Sequence, residues 1–350
     1  MLGIRYERTG GDMIELPPFP PDERKEEAMD ESGNLRRADM MSGAKPLDRR
    51  DVMRFSARVG LASAALGLPF ARVASAQGAA CAEDTLDKIK RTGVFALGAR
   101  QSTPPYGYLD AQNNWVGFAT DIARAIHANL EKELKTKVDL QYVPVTSQTR
   151  IPLLQNGTID MEAGATVVTR SRIKVVDFGV PHFLTSTEAI VRADSPIKSL
   201  ADLAGKRVGV PLGGLEEALY RGLNAAGKLK PAVTLVAFPD HPQGFTALGT
   251  GTIDAYSSDG PILFGMKAKA EDPAQWRVFD PGANVFLQAF PLRPESSRFK
   301  SIVDLTIVEG FAGGEWDRLY DKYFGPQGVA PFEKTAALAA LALMNAWPVE

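Results

Sequence analysis

The sequence contains few of the side chains that build cross-links or metal centres. Among 350 residues there is one cysteine, Cys81, and there are three histidines, none of which has metal-ligand spacing to another. A single cysteine excludes an internal disulfide framework and a cysteine-rich metal site. Neither G-x-S-x-G nor H-E-x-x-H occurs, and Gly213-Gly214 belongs to neither a Walker loop nor a dinucleotide fingerprint. We therefore expect no metal and no cofactor, and a nucleotide-dependent enzyme is disfavoured.

An excess of charge of one sign is also missing. The chain has 40 Lys and Arg against 42 Asp and Glu, a formal net charge of −2. This balance gives no electrostatic case for binding nucleic acid or an anionic membrane. The hydrophobic content of 45% and charged content of 23% are typical of a soluble globular protein. The length allows two ordinary domains.

The apolar run near the N-terminus, residues 59–70, is too short to cross a bilayer. It follows Arg49-Arg50 and precedes Ala74-Ser75-Ala76, an order typical of a secretory signal. The paired arginines favour the twin-arginine route. We predict a signal peptide over residues 41–76 and a periplasmic location. The alternative is a surface amphipathic helix with a chance arginine pair.

Residues 1–40 carry mixed charges and no helical period, so we expect disorder or an extension upstream of a true start at Met40 or Met41. The stretch before Cys81 faintly resembles a lipoprotein box. Gly78 stands where such a box has leucine, so we expect an unmodified thiol at Cys81.

After the signal, strands and helices alternate in two runs, which indicates two α/β lobes with mostly parallel sheets flanked by helices. The pattern predicts strands at 94–98, 137–145, 159–163, 206–210, 233–238 and 253–257. It predicts helices at 118–130, 148–155, 213–223, 243–248, 297–311, 316–324 and 334–346. Two hinge crossings, 186–192 and 285–292, join the lobes. We assign 83–185 to lobe 1, 186–292 to the hinge strands and lobe 2, 293–325 to the return into lobe 1, and 326–350 to a tail helix.

Arginines cluster where predicted elements begin or end. Arg100 follows the first strand, Arg150 lies in the first turn of a helix, and Arg170 and Arg172 lie in a loop. A guanidinium matches a carboxylate bidentately, so such a cluster is typical of a carboxylate pocket. Most arginines are solvated surface charges, and we interpret Arg170 as one of these. A bound diacid would satisfy the others, whereas one carboxylate would leave Arg100 and Arg150 facing each other without an anion.

Several motifs point to one family. They are Gly117-Phe118 with Asp121, TSQTRIPLLQNGT at 146–158, Arg172 followed by Asp177-Phe178, and SLADLAGKRVGV at 199–210. Over residues 85–324 the chain resembles the periplasmic solute-binding proteins of polar amino-acid ABC transporters (family 3 type), in particular the glutamate/aspartate-binding branch. The resemblance implies a type II periplasmic-binding-protein fold. It also implies a monomer that captures an acidic amino acid or dicarboxylate and delivers it to an inner-membrane ABC permease.

The resemblance also implies roles for single residues. Arg172 would hold the ligand's α-carboxylate, Asp259 would pair with its ammonium, and Tyr106 would pack across the cleft. The distal carboxylate would be held by Arg100, Ser147, Arg150 and His241. Each role has a structural alternative: a helix cap for Ser147, a turn cap for Asp259, a place beside a helix N-cap for His241, and ordinary core for Tyr106.

The chain departs from the branch at several hydroxyl positions. The departing residues are Ala165, Val167, Pro211, Gly214 and Leu215. We expect the backbone N–H groups of Gly213 and Gly214, at a helix N-terminus, to meet a carboxylate in their place. A dicarboxylate is therefore a broader and safer expectation than glutamate.

Two functions remain open at this point. The first is a non-catalytic binding protein that closes over its ligand. The second is an exported prephenate or arogenate dehydratase on the same fold. Such an enzyme needs an acid that protonates a leaving hydroxyl, and the sequence offers no convincing candidate.

Overall fold

The computed structural model describes residues 5–7, 13–15, 83–282 and 285–347. The chain divides into two compact units, Met1–Gly78 and Ala79–Glu350. In the first unit, strands β1 (Arg5–Glu7) and β2 (Met13–Glu15) pair in antiparallel orientation. The predicted signal peptide and Cys81 lie outside the described residues.

The second unit contains two larger sheets. The strands of the lobe 1 sheet are β3 (Val94–Ala99), β7 (Asp139–Pro144), β8 (Met161–Ala163), β9 (Asp177–Phe178) and β16 (Pro291–Leu292). Their order is β7-β3-β8-β16-β9, in which β7, β3 and β8 are parallel and β16 runs antiparallel to its neighbours β8 and β9. A small antiparallel sheet lies beside it, formed by β4 (Ser102–Thr103), β5 (Gly107–Leu109) and β6 (Trp115–Val116).

Helices cover the sheet of lobe 1. They are α1 (Thr85–Thr92), α2 (Phe118–Leu134), α3 (Arg150–Gln155), α7 (Ser297–Ala312) and α8 (Glu315–Phe324). Helix α2 buries Phe118, Ile122, Ile126 and Leu130 along one face, as its i, i+4 spacing predicts. Its N-cap is Gly117, where φ is 133° and an added Cβ would lie 2.3 Å from the Tyr106 carbonyl oxygen. Only glycine fits this start.

The strands of the lobe 2 sheet are β10 (Phe183–Arg192), β11 (Arg207–Pro211), β12 (Thr234–Phe238), β13 (Ala255–Asp259), β14 (Trp276–Phe279) and β15 (Val285–Gln288). Their order is β12-β11-β13-β10-β14, and β15 pairs with β10. Strands β12, β11 and β13 are parallel, whereas β10 runs antiparallel to β13, β14 and β15. Its helices are α4 (Leu215–Ala225), α5 (His241–Gly249) and α6 (Gly260–Ala268). Single 3-10 turns lie at Arg172–Lys174, Ala201–Leu203 and Pro273–Gln275.

Strand β10 runs out of lobe 1, and its first residues pair with the returning strand β15, from Phe183 opposite Gln288 to Ser186 opposite Val285. After β15 the chain enters the sheet of lobe 1 again as β16. The predicted crossing at 186–192 corresponds to β10, which starts earlier, at Phe183. The predicted crossing at 285–292 corresponds to two strands, β15 and β16. The two-lobed α/β architecture with two crossings is confirmed.

The chain ends in α9 (Ala336–Asn345), within the predicted 334–346. Thr335 caps it by accepting from the Leu338 N–H, Leu338 and Leu341 are buried, and the Asn345 side chain donates to the Pro181 carbonyl oxygen at 2.6 Å. Throughout the part of the chain that the structure describes, no helix has the length and apolar character needed to cross a membrane.

Candidate functional site

A cavity lies between the two lobes, at the carboxyl ends of β3 and β13. The space between its walls is about 330 Å³ when the part open to solvent is included. The structure brings most of the predicted ligand-contacting residues to its wall. These are Arg100, Ser147, Arg150, Arg172, Gly214, His241 and Asp259.

Arg100 and Arg150 form one end of the cavity, and both are almost fully buried, at 3% and 4% exposure. Arg100 follows β3 and donates from Nη1 to the Ser147 hydroxyl at 3.1 Å. Helix α3 begins at Arg150 with Thr149 as N-cap, so Ser147 serves as a partner of Arg100 and not as a helix cap. Burial lowers the pKa of Arg100, and the neighbouring charge of Arg150 lowers it further. Two buried like charges at one end of a cavity favour an anion there.

The protein itself supplies part of this anionic charge. Glu162, fully buried on β8, places Oε1 3.9 Å from Nη1 of Arg150. Asp240, at the start of α5 in lobe 2, places Oδ1 3.8 Å from Nη2 of Arg100. The expectation that one ligand carboxylate would leave Arg100 and Arg150 without an anion is therefore wrong. The pattern of alternating strands and helices did not show that Glu162 points inward.

Arg172 lies in a 3-10 turn of lobe 1 and is held from both lobes. Its Nη1 donates to the Val167 carbonyl oxygen at 2.8 Å, and its Nη2 donates to the Gly213 carbonyl oxygen of lobe 2 at 3.4 Å. Burial lowers the pKa of Arg172 to about 10, and the charge of Arg150 contributes. The guanidinium remains charged at neutral pH and faces the cavity.

Asp259 ends β13 on the opposite wall and is 5% exposed. Its Oδ2 accepts from Nε2 of Gln288 at 3.2 Å, whereas Oδ1 has no hydrogen-bond partner in the described structure. Burial raises the pKa of Asp259 well above its usual range, and the charge of Glu216 adds to this effect. Asp259 does not cap α6 through its side chain. A buried acid with an unpartnered oxygen can accept from a cationic ligand group.

His241 lies at the start of α5, and its ring is buried. Nδ1 is 3.0 Å from the Tyr256 hydroxyl. Burial lowers the pKa of His241 to about 3, and the charges of Arg100 and Arg150 act in the same direction. The ring is neutral at ordinary pH, so it offers a hydrogen bond but no charge to the distal end of the cavity.

Two of the predicted contacts do not reach the wall. Tyr106 is fully buried, with its ring 5.3 Å from that of Phe183 and 5.8 Å from that of Phe324, measured between centroids. Its ring therefore belongs to the aromatic core of lobe 1. Gly213 contributes only its carbonyl oxygen, which accepts from Arg172.

The predicted role of the N–H groups at the start of α4 also needs correction. The Gly213 N–H donates to Oε2 of Glu217 at 3.2 Å, and the Gly214 N–H donates to the Pro211 carbonyl oxygen at 2.9 Å. Both donors are engaged by the tight turn that leads into the helix. They are not available to a ligand carboxylate in this structure.

Sequence reasoning missed Glu216, which lies in the first turn of α4, lines the cavity and is 3% exposed. Burial raises the pKa of Glu216, and the charges of Arg172 and Arg150 oppose the rise. An acid in the first turn of a helix, two residues after a glycine, was the available signal. Thr103 and Ser258 also line the cavity and were missed. Within the described residues, no group of three or more His, Cys, Asp or Glu side chains is arranged to hold a metal ion.

Further contacts join the lobes beside the cavity. The Ser102 hydroxyl of lobe 1 hydrogen-bonds the Asp240 carboxylate of lobe 2. Nζ of Lys269, on lobe 2, lies 4.1 Å from the ring centroid of Tyr108 on lobe 1, a cation–π contact. The structure therefore represents an arrangement in which both lobes contact each other around the cavity.

Comparison with known proteins gives consistent results. The family model of bacterial extracellular solute-binding proteins, family 3, matches residues 95–326. The glutamate/aspartate import solute-binding protein of Salmonella typhimurium (strain LT2) is 34% identical over 260 residues, 74% of this chain and 85% of the relative. The L-glutamate/L-aspartate-binding protein of Pseudomonas aeruginosa is 35% identical over 242 residues, 69% of this chain and 80% of the relative.

A solved structure is similar as well. It is that of the ancestral amino acid-binding protein AncCDT-1, a precursor of cyclohexadienyl dehydratase. It is 27% identical, has a TM-score of 0.58, and is matched over 68% of this chain and 98% of its own. These findings confirm the resemblance indicated by the sequence motifs, including the glutamate/aspartate branch.

Proposed function

Since the chain belongs to the bacterial extracellular solute-binding proteins, family 3, we propose that its cavity binds an acidic amino acid or a similar dicarboxylate. The observation that carries this proposal is the meeting of Arg100, Arg150 and Arg172 at one cavity between the lobes, opposite the unpartnered Oδ1 of Asp259. The chain is the solute-binding component of an amino-acid ABC importer. It acts in the periplasm, as a monomer that passes its ligand to an inner-membrane permease.

The charges suggest an orientation for the ligand. Its α-carboxylate contacts Arg172, and its ammonium contacts Asp259, on opposite lobes. Its distal carboxylate contacts Arg100, Ser147 and Arg150. Groups from both lobes then contact one ligand, so the ligand favours the closed arrangement. His241, being neutral, adds a hydrogen bond at the distal end.

The roles of single residues rest on position and charge. Arg100 and Arg150 are buried, and Ser147 is already within hydrogen-bond distance of Arg100. The carboxylates of Glu162 and Asp240 compensate these arginines partly, at 3.9 and 3.8 Å, too far for ideal ion-pair hydrogen bonds. A ligand carboxylate at normal hydrogen-bond distance would improve on both partners.

We infer that the protein is not an enzyme. The curated relatives described above carry the names of import or binding proteins, and the similar solved structure is itself named an amino acid-binding protein. The dehydratase alternative is not favoured by these relatives. Export by the twin-arginine route remains a prediction, because Arg49-Arg50 lies outside the described residues.

A thermal-shift screen tests the proposed ligand. Glutamate, aspartate, their amides, 2-oxoglutarate and succinate are added to the purified chain, and each ligand that raises the unfolding temperature is titrated by calorimetry. We expect the diacids to raise the unfolding temperature more than the amides. If the amides raise the unfolding temperature most, or if none of the compounds raises it, the proposed acidic ligand class is wrong. If 2-oxoglutarate or succinate, which lack an ammonium group, raises the unfolding temperature as much as glutamate does, Asp259 does not bind the ligand's ammonium group.

A further inference from the structure

The Asp259 carboxylate at the cavity wall is hydrogen-bonded by a residue behind that wall. Gln288 does not line the cavity, yet its Nε2 donates to Oδ2 of Asp259 at 3.2 Å. Both side chains are buried, with residue exposures of 0% and 5%. Oδ1 of Asp259 has no hydrogen-bond partner among the described residues. The amide of Gln288 therefore holds one carboxylate oxygen and leaves the other to a ligand.

Gln288 belongs to the hinge and reaches Asp259 along strand β10. It ends β15, where it pairs with Phe183, and Asp259 ends β13, where it pairs with Thr187. Phe183 and Thr187 are four residues apart on β10, so their side chains and those of their cross-strand partners lie on one face of the sheet. The backbone pairing of β10 thus brings the amide to the carboxylate.

The Gln288 side chain is not explained by a gain in stability. Its Oε1 is buried and has no hydrogen-bond partner within the part of the chain that the structure describes. A buried acceptor without a partner lowers stability, and an apolar side chain of similar size would avoid that loss. The feature that distinguishes Gln288 from such a side chain is the hydrogen bond that Nε2 donates to Asp259.

This hydrogen bond matters most when Asp259 is ionised. A buried carboxylate has lost its water and needs donors in place of it. Burial raises the pKa of Asp259, and the hydrogen bond from Gln288 acts in the opposite direction. A donor at Oδ2 also limits rotation of the carboxylate, so Oδ1 keeps one position. An ammonium group can donate to Oδ1, whereas a methylene or keto group at the same position of a ligand leaves it unsatisfied.

Resting on the proposed function, we propose that Gln288 is a positioning residue that makes the site selective for diacids with an α-ammonium group over diacids without one. It does so by holding the Asp259 carboxylate in place and in its ionised form. Without the amide, the carboxylate would have to be ordered and ionised when the ligand binds, and the ammonium group would be bound more weakly. The hinge strand β15 therefore contributes to the choice of ligand.

The test is calorimetry with L-glutamate and with glutarate, which is glutamate without its ammonium group. The proteins are the original chain, Gln288→Met and the matched control Thr187→Val. Thr187 lies opposite Asp259 on β10 and is buried, and its hydroxyl has no partner among the described residues. Glutarate is measured by competition with glutamate where its own heat is small. Unfolding temperatures without ligand show which variants are folded, and Gln288→Leu replaces Gln288→Met if the methionine does not fit.

We expect Gln288→Met to bind glutamate at least about tenfold more weakly than the original chain, the loss of one hydrogen bond to a charged group. Its affinity for glutarate should be nearly unchanged, and Thr187→Val should bind both ligands as the original chain does. In an Asp259→Asn background, adding Gln288→Met should cause no further loss of glutamate affinity, because Gln288 acts through Asp259. This last comparison decides the question if glutarate binding is too weak to measure.

Other results would overturn the proposal. Equal losses for glutamate and glutarate, or a further loss in the Asp259→Asn background, would show that Gln288 only shapes the hinge. An equal loss of glutamate affinity in Thr187→Val would assign the effect to packing around β10. If Gln288→Met binds glutamate normally, or if the original chain binds glutarate as tightly as glutamate, this inference fails while the proposed function stands. If the original chain binds none of glutamate, aspartate, succinate and 2-oxoglutarate, the proposed function fails as well.

Discussion

The guanidinium of Arg172 spans the two lobes, with Nη2 3.4 Å from the Gly213 carbonyl oxygen and Nη1 2.8 Å from that of Val167. Val167 belongs to lobe 1, and Gly213 belongs to the turn before α4 in lobe 2. The orientation of Arg172 therefore depends on both lobes being close together. A ligand carboxylate that contacts this guanidinium would be recognised only in that arrangement.

Replacing Arg172 by Ala should reduce the affinity for an acidic ligand by at least about 100-fold, because charged hydrogen bonds contribute about 1.5–3 kcal/mol each. Calorimetry with the best diacid measures the change. Arg170→Ala is the matched control, since Arg170 is exposed two residues earlier in the same segment and should be neutral. Near-normal affinity in Arg172→Ala would contradict its role in holding the α-carboxylate.

Replacing Arg150 by Ala should weaken binding of glutamate much more than binding of glutamine, because only glutamate places a charge at the distal end. The change also removes the cation 3.9 Å from buried Glu162, so the free energy of unfolding should fall by about 3 kcal/mol. Calorimetry with both ligands and urea unfolding measure the two effects. Adding Glu162→Gln to the variant should restore stability without restoring glutamate affinity. Equal losses for the two ligands would mean that Arg150 is structural.

Glu188→Gln should change how stability depends on pH. Glu188 is buried on β10, where its Oε1 accepts from the Ser186 hydroxyl at 3.2 Å. Burial raises the pKa of Glu188 from an ordinary 4.5 to about 7, against the effect of this hydrogen bond. The folded chain thus holds a proton that the unfolded chain releases, so stability falls as pH rises from about 4.5 to about 7.

The glutamine variant lacks this loss, so at about pH 8 it should be more stable than the original chain by at most about 3 kcal/mol. At about pH 4 the two proteins should differ little. Urea unfolding at both pH values measures this difference. The same stability difference at both pH values would show that Glu188 is not the titrating group.

His182→Leu should make the chain less sensitive to acid. His182 is buried with its ring centroid 4.0 Å from that of Phe290, and neither ring nitrogen has a partner in the described structure. Burial lowers the pKa of His182 from an ordinary 6.5 to about 3. The unfolded chain therefore takes up a proton first, and stability falls as pH decreases from about 6.5 toward about 3.

Between about pH 6.5 and pH 4, the variant should lose less stability than the original chain, by up to about 1.4 kcal/mol per pH unit. His241 is buried with a similarly lowered pKa and remains in both proteins, so part of the acid sensitivity should persist. Chemical unfolding over this range measures the slopes. Parallel curves for the two proteins would exclude His182 as a source of the acid sensitivity.

Much of the fold follows from local patterns along the chain. The i, i+4 apolar spacing of α2 matches the helical repeat, and the short apolar run of β3, bounded by glycines, matches a buried strand. Both elements were therefore predicted directly. The return helices, predicted at 297–311 and 316–324, are Ser297–Ala312 and Glu315–Phe324 in the structure. Local patterns also put Arg100 and Asp259 at strand ends and Arg150 at a helix start, which is why they reach one cavity.

Local sequence patterns did not predict the balance of charged groups around the cavity. Glu162 and Glu216 are acidic residues that any local pattern assigns to a surface, yet packing between distant segments buries both. For Tyr106 the difference is the reverse: it was expected at the cleft wall, but its side chain lies in the core against Phe183 and Phe324. Local periodicity thus determined which elements form and which arginines meet. Long-range packing decided which acids oppose those arginines, because burial and charge pairing depend on residues far apart in the chain.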